Sequence, residues 1–396
     1  MRFHRTTLVA SAALCLAPTV PSHAIPVFAR KYGFNCTMCH SNFPRLNDYG
    51  QRYRMNGYRL MGREDEEKTV YETPAPLALR TSATFNSDKF TNTPGSNDVK
   101  QFQVNNLDIL SAGLLDRNIG YMLVYPPKIE ASRGVVGQPG TLEMASVVLS
   151  NPKTSWLNVR AGRFEPGALA FSVKRSLTFS PYEIYNFTFP GGTPLSDTQT
   201  GVELAGFARG GTAYTAGWLN GAATNNDNQS ADDFYIHATH VIGPGEGQTA
   251  GQRIGLMGYA GKAKPSAFDG PTDRKAISRI GVDASLNFKQ VNLALQYLHG
   301  KDDKALWGTA DDVKYSGGFA ELSFLPSTRI VGFGRYDWVK TPRSVSAGIK
   351  RWTIGGRYYL ADSMAIHAEY SDRRQAQPDD DNAKERLFVF GLDFGI

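Results

Sequence analysis

Cys36-Thr37-Met38-Cys39-His40 holds the most reactive grouping of side chains in this chain: two thiols three positions apart, followed at once by an imidazole. C-x-x-C-H is the pattern on which a porphyrin is attached covalently. The thiols are spaced to form thioether bonds with its vinyl groups, and the imidazole is placed to ligate the iron from one side. One such run predicts one haem c, attached at Cys36 and Cys39, with His40 as proximal ligand. Two other uses of paired cysteines fit less well. A thiol–disulfide redox pair also takes C-x-x-C, but on a βαβ scaffold that this sequence does not suggest. A zinc knuckle needs a second ligand pair, and the one further cysteine, Cys15, falls in an apolar N-terminal stretch.

No motif fixes the ligand on the second face of the iron. Met55 and Met61 are the nearby methionines, and Met55 is the candidate carried forward, although it serves equally well as an ordinary helix contact. A thioether there raises the potential relative to a second imidazole. His237 and His367 are alternatives. Each alternates with apolar neighbours (Phe234, Ile236 and Ala238; Met364, Ile366 and Ala368), so each faces the wet side of a sheet, where a plain polar role is the simpler reading.

Stepping out from the motif, the flanking residues sketch two short helices. Pro26 to Tyr32 forms the first, ended by Gly33, and Pro44 opens the second, which carries Leu46, Tyr49 and Tyr53 and is capped at Gly57. Their apolar positions would face the porphyrin. This segment, residues 25–72, is too short to bury a core alone, so something else must cover the haem edge.

The N-terminus supplies an address. Arg2 and Arg5, an apolar stretch from Thr6 to Val20, and Ser22-His23-Ala24 have the form of a secretory signal over residues 1–24. Its removal leaves Cys36 and Cys39 as the cysteines of the mature chain and lowers the formal charge from +6 to +4, which is no basis for binding nucleic acid. Three cysteines in 396 residues also exclude a disulfide scaffold.

Residues 73–396 carry a different signal. Mean hydropathy is −0.33 and no run past the N-terminus approaches a membrane-spanning helix, which excludes a polytopic helical protein but not a β-barrel. In Ser278 to Phe288, Ile280, Val282 and Leu286 alternate with Arg279, Asp283 and Asn287, and Arg351 to Leu360 repeats the pattern with Trp352 and Ile354 opposite Arg351 and Thr353. Sixteen such segments follow one another, beginning near residues 77–87, 101–113 and 117–126 and ending at 364–374 and 385–396. Joins after even-numbered segments are mostly short, as at Lys289-Gln290, and those after odd-numbered ones mostly long, the longest being Glu165 to Thr198. Short turns on one side and long loops on the other characterise outer-membrane barrels. The alternation of Phe388, Phe390, Leu392 and Phe394 resembles the C-terminal signal read by barrel-assembly machinery, although the last residue is Ile396 rather than Phe. The expected fold is therefore all-β, a 16-stranded antiparallel transmembrane β-barrel with a small N-terminal helical c-type haem segment. A soluble sandwich or propeller is the rival, and no blade repeat supports it.

Pro26-Val27-Phe28-Ala29-Arg30-Lys31-Tyr32-Gly33, Cys36 to His40, Pro44-Arg45-Leu46-Asn47 and Asn56-Gly57-Tyr58 together resemble the fused monohaem cytochrome–porins, a family that includes outer-membrane iron(II) oxidases. The resemblance implies a small cytochrome plugging a barrel and passing electrons across the bacterial outer membrane. The implied partners are an extracellular donor, Fe(II) foremost, and a periplasmic electron carrier. Donors differ within the family, so three other readings stand: outward transfer to extracellular acceptors, a solute porin with a haem-bearing plug, and a periplasmic haem enzyme. Two further groups have dual readings. Arg80, Arg279, Arg351 and Arg357 suit haem propionates or a wet pore lining. Asp232-Asp233, Asp302-Asp303, Asp311-Asp312 and Asp379 to Asp381 suit a cation-gathering rim or a solvated loop surface.

Overall fold

The computed structural model describes residues 27–34, 38–42, 44–63, 66–73, 76–92, 95–127, 140, 142–189, 194–208, 210–221, 231–243, 252–263, 275–305, 312–342, 348–361, 363–376 and 383–395. The expected leader and Cys36 lie outside them.

All sixteen alternating segments form strands, and they close on themselves. In order they are β3 (Leu77–Asn92), β4 (Gly95–Asp116), β5 (Ile119–Tyr125), β6 (Met144–Leu149), β7 (Asn158–Phe164), β8 (Gln199–Phe207), β9 (Thr212–Leu219) and β10 (Asp233–Ile242). The circle continues through β11 (Gln252–Ala263), β12 (Lys275–Phe288), β13 (Val291–Asp302), β14 (Val313–Ser327), β15 (Ile330–Lys340), β16 (Ile349–Ala361), β17 (Met364–Gln375) and β18 (Ala383–Gly395). Each pairs antiparallel with the next, and β18 pairs β3, with Phe390 opposite Phe85. The first hairpin is longer than the pattern of apolar residues suggests. β3 and β4 run to Asn92 and Gly95, and Asn86 donates to Gln103 across the pair at 2.6 Å. Polar pairs hold strands together as well as apolar ones once they leave the bilayer, so apolar alternation fades before the strand does.

The alternation sorts the two faces of the wall. Ile280 and Val282 are 64% and 48% exposed, whereas Arg279 and Asp283 are 6% and 5% exposed. Apolar side chains outside and charges inside suit a wall between lipid and lumen. The wall has the two faces of a closed transmembrane barrel.

Its lumen is filled among the described residues. Residues 165–189 and 194–198, between β7 and β8, turn inward and bury Phe171, Leu177, Tyr182, Ile184 and Tyr185. Most of these join Leu298, Tyr315 and Phe319 of the wall in one apolar core. A buried loop must satisfy its backbone, and lumen charges do this. Arg335 donates to the carbonyls of Ser180 and Pro181, both at 2.8 Å. Glu369 accepts from the amides of Phe179 and Ser180, also at 2.8 Å. Higher up, Glu183, in the short helix α3 (Glu183–Asn186), pairs with Arg351 and Arg373 at 2.9 Å each.

The N-terminal segment occupies the short-turn, periplasmic end. It comprises α1 (Val27–Tyr32), a hairpin of β1 (His40–Asn42) and β2 (Arg45–Leu46), and α2 (Asp48–Met55). α1 ends at Gly33, where φ is +67°. The second helix starts four residues later than Pro44, because residues 40–46 are spent on the hairpin and Asn47 is the N-cap. Gly57 (φ +65°) turns the chain onto the wall, where Ser150 donates to the Asn56 carbonyl at 2.7 Å. A Cβ at Gly120 of β5 would collide with the Gly57 carbonyl, so the segment docks backbone to backbone. Arg45 anchors the other side, ion-paired to buried Glu321 of β14 and donating to Tyr182 at 3.2 Å.

Candidate functional site

Cys39 and His40 open onto a cavity of about 390 Å³ between the N-terminal segment, the wall and the inner loop. Its floor is aromatic. Phe28 stacks on Tyr58 at 5.0 Å and meets Tyr53 edge-on at 5.2 Å, with Tyr32, Phe34, Tyr49 and Leu60 beside them. The wall adds Ala78, Leu110, Ala112, Met122, Val124 and Met144, and the inner loop adds Val173 to Ser176 with Thr178 and Phe179. Leu79, Ser363, Met364 and Phe394 lie at its short-turn rim. The apolar cover that a segment of this size lacks is thus supplied by the barrel.

His40 is held in one tautomer. Its Nδ1 lies 3.0 Å from the Pro44 carbonyl, an acceptor, so Nδ1 carries the proton and the lone pair sits on Nε2. Burial pushes the imidazole pKa down to about 4, which keeps the ring neutral. A neutral imidazole donating through one nitrogen to a carbonyl is the usual state of a metal-ligating histidine.

Asn47 fixes the backbone around it. Its amide N–H donates to the Cys39 carbonyl at 2.9 Å, its side-chain N–H₂ to the Met38 carbonyl at 3.0 Å, and its side-chain oxygen accepts from Gly50 at 2.9 Å. Gly50 lets α2 pass directly against the motif, since a Cβ there would strike the Cys39 carbonyl and Leu46.

The residues that line the cavity are of the types a haem c would need. The cavity is lined by Cys39 and by an imidazole with its lone pair on Nε2, its walls are largely apolar and aromatic, and Tyr49 and Tyr53 bury their hydroxyls, that of Tyr49 with no hydrogen-bond partner among the described residues. Burial raises both phenols above their usual range, so they remain donors suited to a carboxylate such as a propionate. Arg80 and Arg357 also line the cavity. Arg80 pairs with Asp108, and Arg357 with Asp393 at 3.1 Å. Arg279 and Arg351 are elsewhere, pairing with Asp302 and Glu183.

The remaining candidates disperse. Met55 and Met61 are not among the residues lining the cavity, whereas Met122 and Met144 are. His237 faces the lumen bonded to the Gly167 carbonyl (3.1 Å) and Asp283 (2.9 Å). His367, buried, stacks on Phe179 at 4.4 Å behind the cavity lining. Among the described acids, Asp233 turns inward to Tyr259 and the Lys262 amide, and Lys301 ties Asp303 and Asp312 at 3.2 and 2.7 Å. No group of three metal-ligating side chains occurs among the described residues. Of the residues that shape the site, Asn47 had a legible signal, an Asn beside an acidic residue at a helix start. Met122 had none beyond its strand phase.

No protein-family model matches the chain, and no curated protein matches its sequence. Solved structures match the barrel. The anion-selective porin from Comamonas acidovorans superposes with a TM-score of 0.59 at 12% identity, over 82% of this chain and 100% of that one. OmpT, an outer-membrane protein of Vibrio cholerae, gives 0.56 at 9% identity over 81% and 99%. The outer-membrane channel DcaP of Acinetobacter baumannii gives 0.53 at 10% identity over 81% and 97%. At such identities the likeness establishes the fold, not the cargo.

Proposed function

We propose that the protein is an outer-membrane c-type cytochrome–porin that moves single electrons between an extracellular donor, Fe(II), and a periplasmic carrier. The observation that carries this reading is the geometry of His40, half-buried and neutral, with Nδ1 committed to Pro44 in the wall of a large aromatic cavity next to Cys39. A bound haem c supplies one-electron iron chemistry. The chain supplies the rest: Cys36 and Cys39 the covalent attachment, His40 the proximal nitrogen, and the aromatic floor the exclusion of water that tunes the potential. The rim at Ser363 and Phe394 lies at the periplasmic end, which suits exchange with a soluble carrier.

The test is anaerobic addition of Fe(II) to cells bearing the oxidised full-length protein, followed by the haem absorption bands. Reduction by external Fe(II) is expected. No reduction at any pH would remove the iron(II) oxidase reading while leaving a cytochrome. Cys36→Ser with Cys39→Ser should abolish covalent haem, and its survival would overturn the attachment.

The second reading, a solute porin whose haem-bearing segment is a plug, is favoured by the likeness of the barrel to porin and channel structures. The apolar core across the lumen weighs against it. Liposome swelling by small solutes at the rate of an open porin would favour it.

A further inference from the structure

The side of the cavity contributed by the barrel wall includes a ligand-type sulfur. We infer that Met122 of β5 is the second axial ligand, so that the wall itself completes the haem site; this rests on the haem reading above. Three observations carry it. Met122 lines the cavity that also contains His40, and it packs against the aromatic cluster of the N-terminal segment. The Tyr58 hydroxyl donates to its sulfur at 3.0 Å. A thioether sulfur has two lone pairs, so one can accept from Tyr58 while the other faces a metal, and the hydroxyl fixes the side chain that would otherwise rotate freely. Tyr58 itself is held in a left-handed conformation (φ +67°) directly after Gly57, the residue docked on β5 at Gly120. The backbone that places the donor is therefore the same backbone that seats the segment on the strand bearing Met122.

The other methionines fit less well. Met55 and Met61 do not line the cavity, and Met364 sits at its rim, 37% exposed. Met144 lines it too, one strand over and toward the outer end, opposite Val124. It is the internal control.

An axial methionine from the wall has a structural consequence. The haem would be covalent to the segment and coordinated to the barrel, clamping the two together. Loss of the sulfur would leave the haem attached but free one coordination position.

The experiment uses full-length, haem-loaded protein from outer membranes, with covalent haem counted as the pyridine complex. Oxidised wild type should show the methionine-to-iron charge-transfer band, and Met144→Leu should keep it. Met122→Leu should lose the band and gain carbon monoxide binding, and Met122→His should convert the spectrum to that of a bis-imidazole haem. Tyr58→Phe should shift the band without removing it. Covalent haem with no methionine band in wild type, or a band that survives Met122→Leu, would overturn the inference while leaving the cytochrome. Absence of covalent haem in wild type would overturn both. If Met122→Leu fails to assemble, the wild-type band and the Met122→His spectrum still decide the matter.

Discussion

At the scale of single residues, Asn47 does the most positioning. Three of its polar groups act at once, on Cys39, Met38 and Gly50, so it couples the start of α2 to the backbone of the C-x-x-C-H motif. Removing an N-cap side chain costs about 1 kcal/mol, and here the same deletion releases the Met38 carbonyl. Asn47→Ala should lower covalent haem per barrel without lowering the amount of heat-modifiable barrel on gels. Asn47→Asp should fall between, because a carboxylate can still cap α2 but cannot donate to Met38. Equal haem content in all three proteins would show that the attachment does not need this clamp.

At the scale of elements, what could be read from sequence divides by the range of the forces involved. Strand alternation is local, and every strand from β3 to β18 was marked by it, including the lumen phase of His237 and His367. The hairpin of β1 and β2 was not, because Pro44 resembles a helix start and the competing term is a tertiary one, the Asn47 cap with its bonds to Met38 and Cys39. The inward fold of residues 165–189 and 194–198 was equally silent. It depends on partners far along the chain, such as Arg335 for Ser180 and Glu369 for Phe179, and the same arginines and acids suit a wet pore just as well on paper. Glu165 latches this loop to the N-terminal segment. It pairs with Arg175 at 2.8 Å, accepts from Ser172 at 2.7 Å and lies 3.7 Å from Arg54. Burial alone would raise its pKa, but Arg175, Arg54 and Ser172 outweigh burial and hold it at about 2 against an ordinary 4.5. A depressed carboxyl stabilises the folded form fully above its unfolded pKa and loses that contribution as pH falls from about 4.5 to about 2. Hydrogen exchange in residues 167–189 should therefore accelerate across that acid window in wild type. In Glu165→Gln it should be faster at neutral pH and show no such acid step. An identical acid step in the variant would place the latch elsewhere.

At the scale of the whole molecule, the fold is that of a porin, whereas the filling of the lumen weighs against an open solute channel. Sixteen strands enclose a lumen wide enough for water and solutes when it is lined only by side chains. Here residues 165–189 and 194–198 fold into it and the N-terminal segment lies at the short-turn end, and the two meet at the Glu165–Arg54 and Arg45–Tyr182 contacts. Between them lies an apolar core with Tyr182 stacked on Phe319 at 4.3 Å. Water entering that core would have to separate apolar surfaces and strand the loop backbone from Arg335 and Glu369, which is costly on both counts. An electron, in contrast, needs no opening, because packed protein couples donor and acceptor better than a gap does. Purified protein in planar bilayers should accordingly pass little ionic current. Replacing residues 168–194 by a short glycine–serine linker should raise the current severalfold while the barrel still assembles. Wild-type current equal to that of the loop-replaced protein would mean that the loop does not seal the lumen in the membrane, and a solute pathway would then have to be reinstated beside, or in place of, electron transfer.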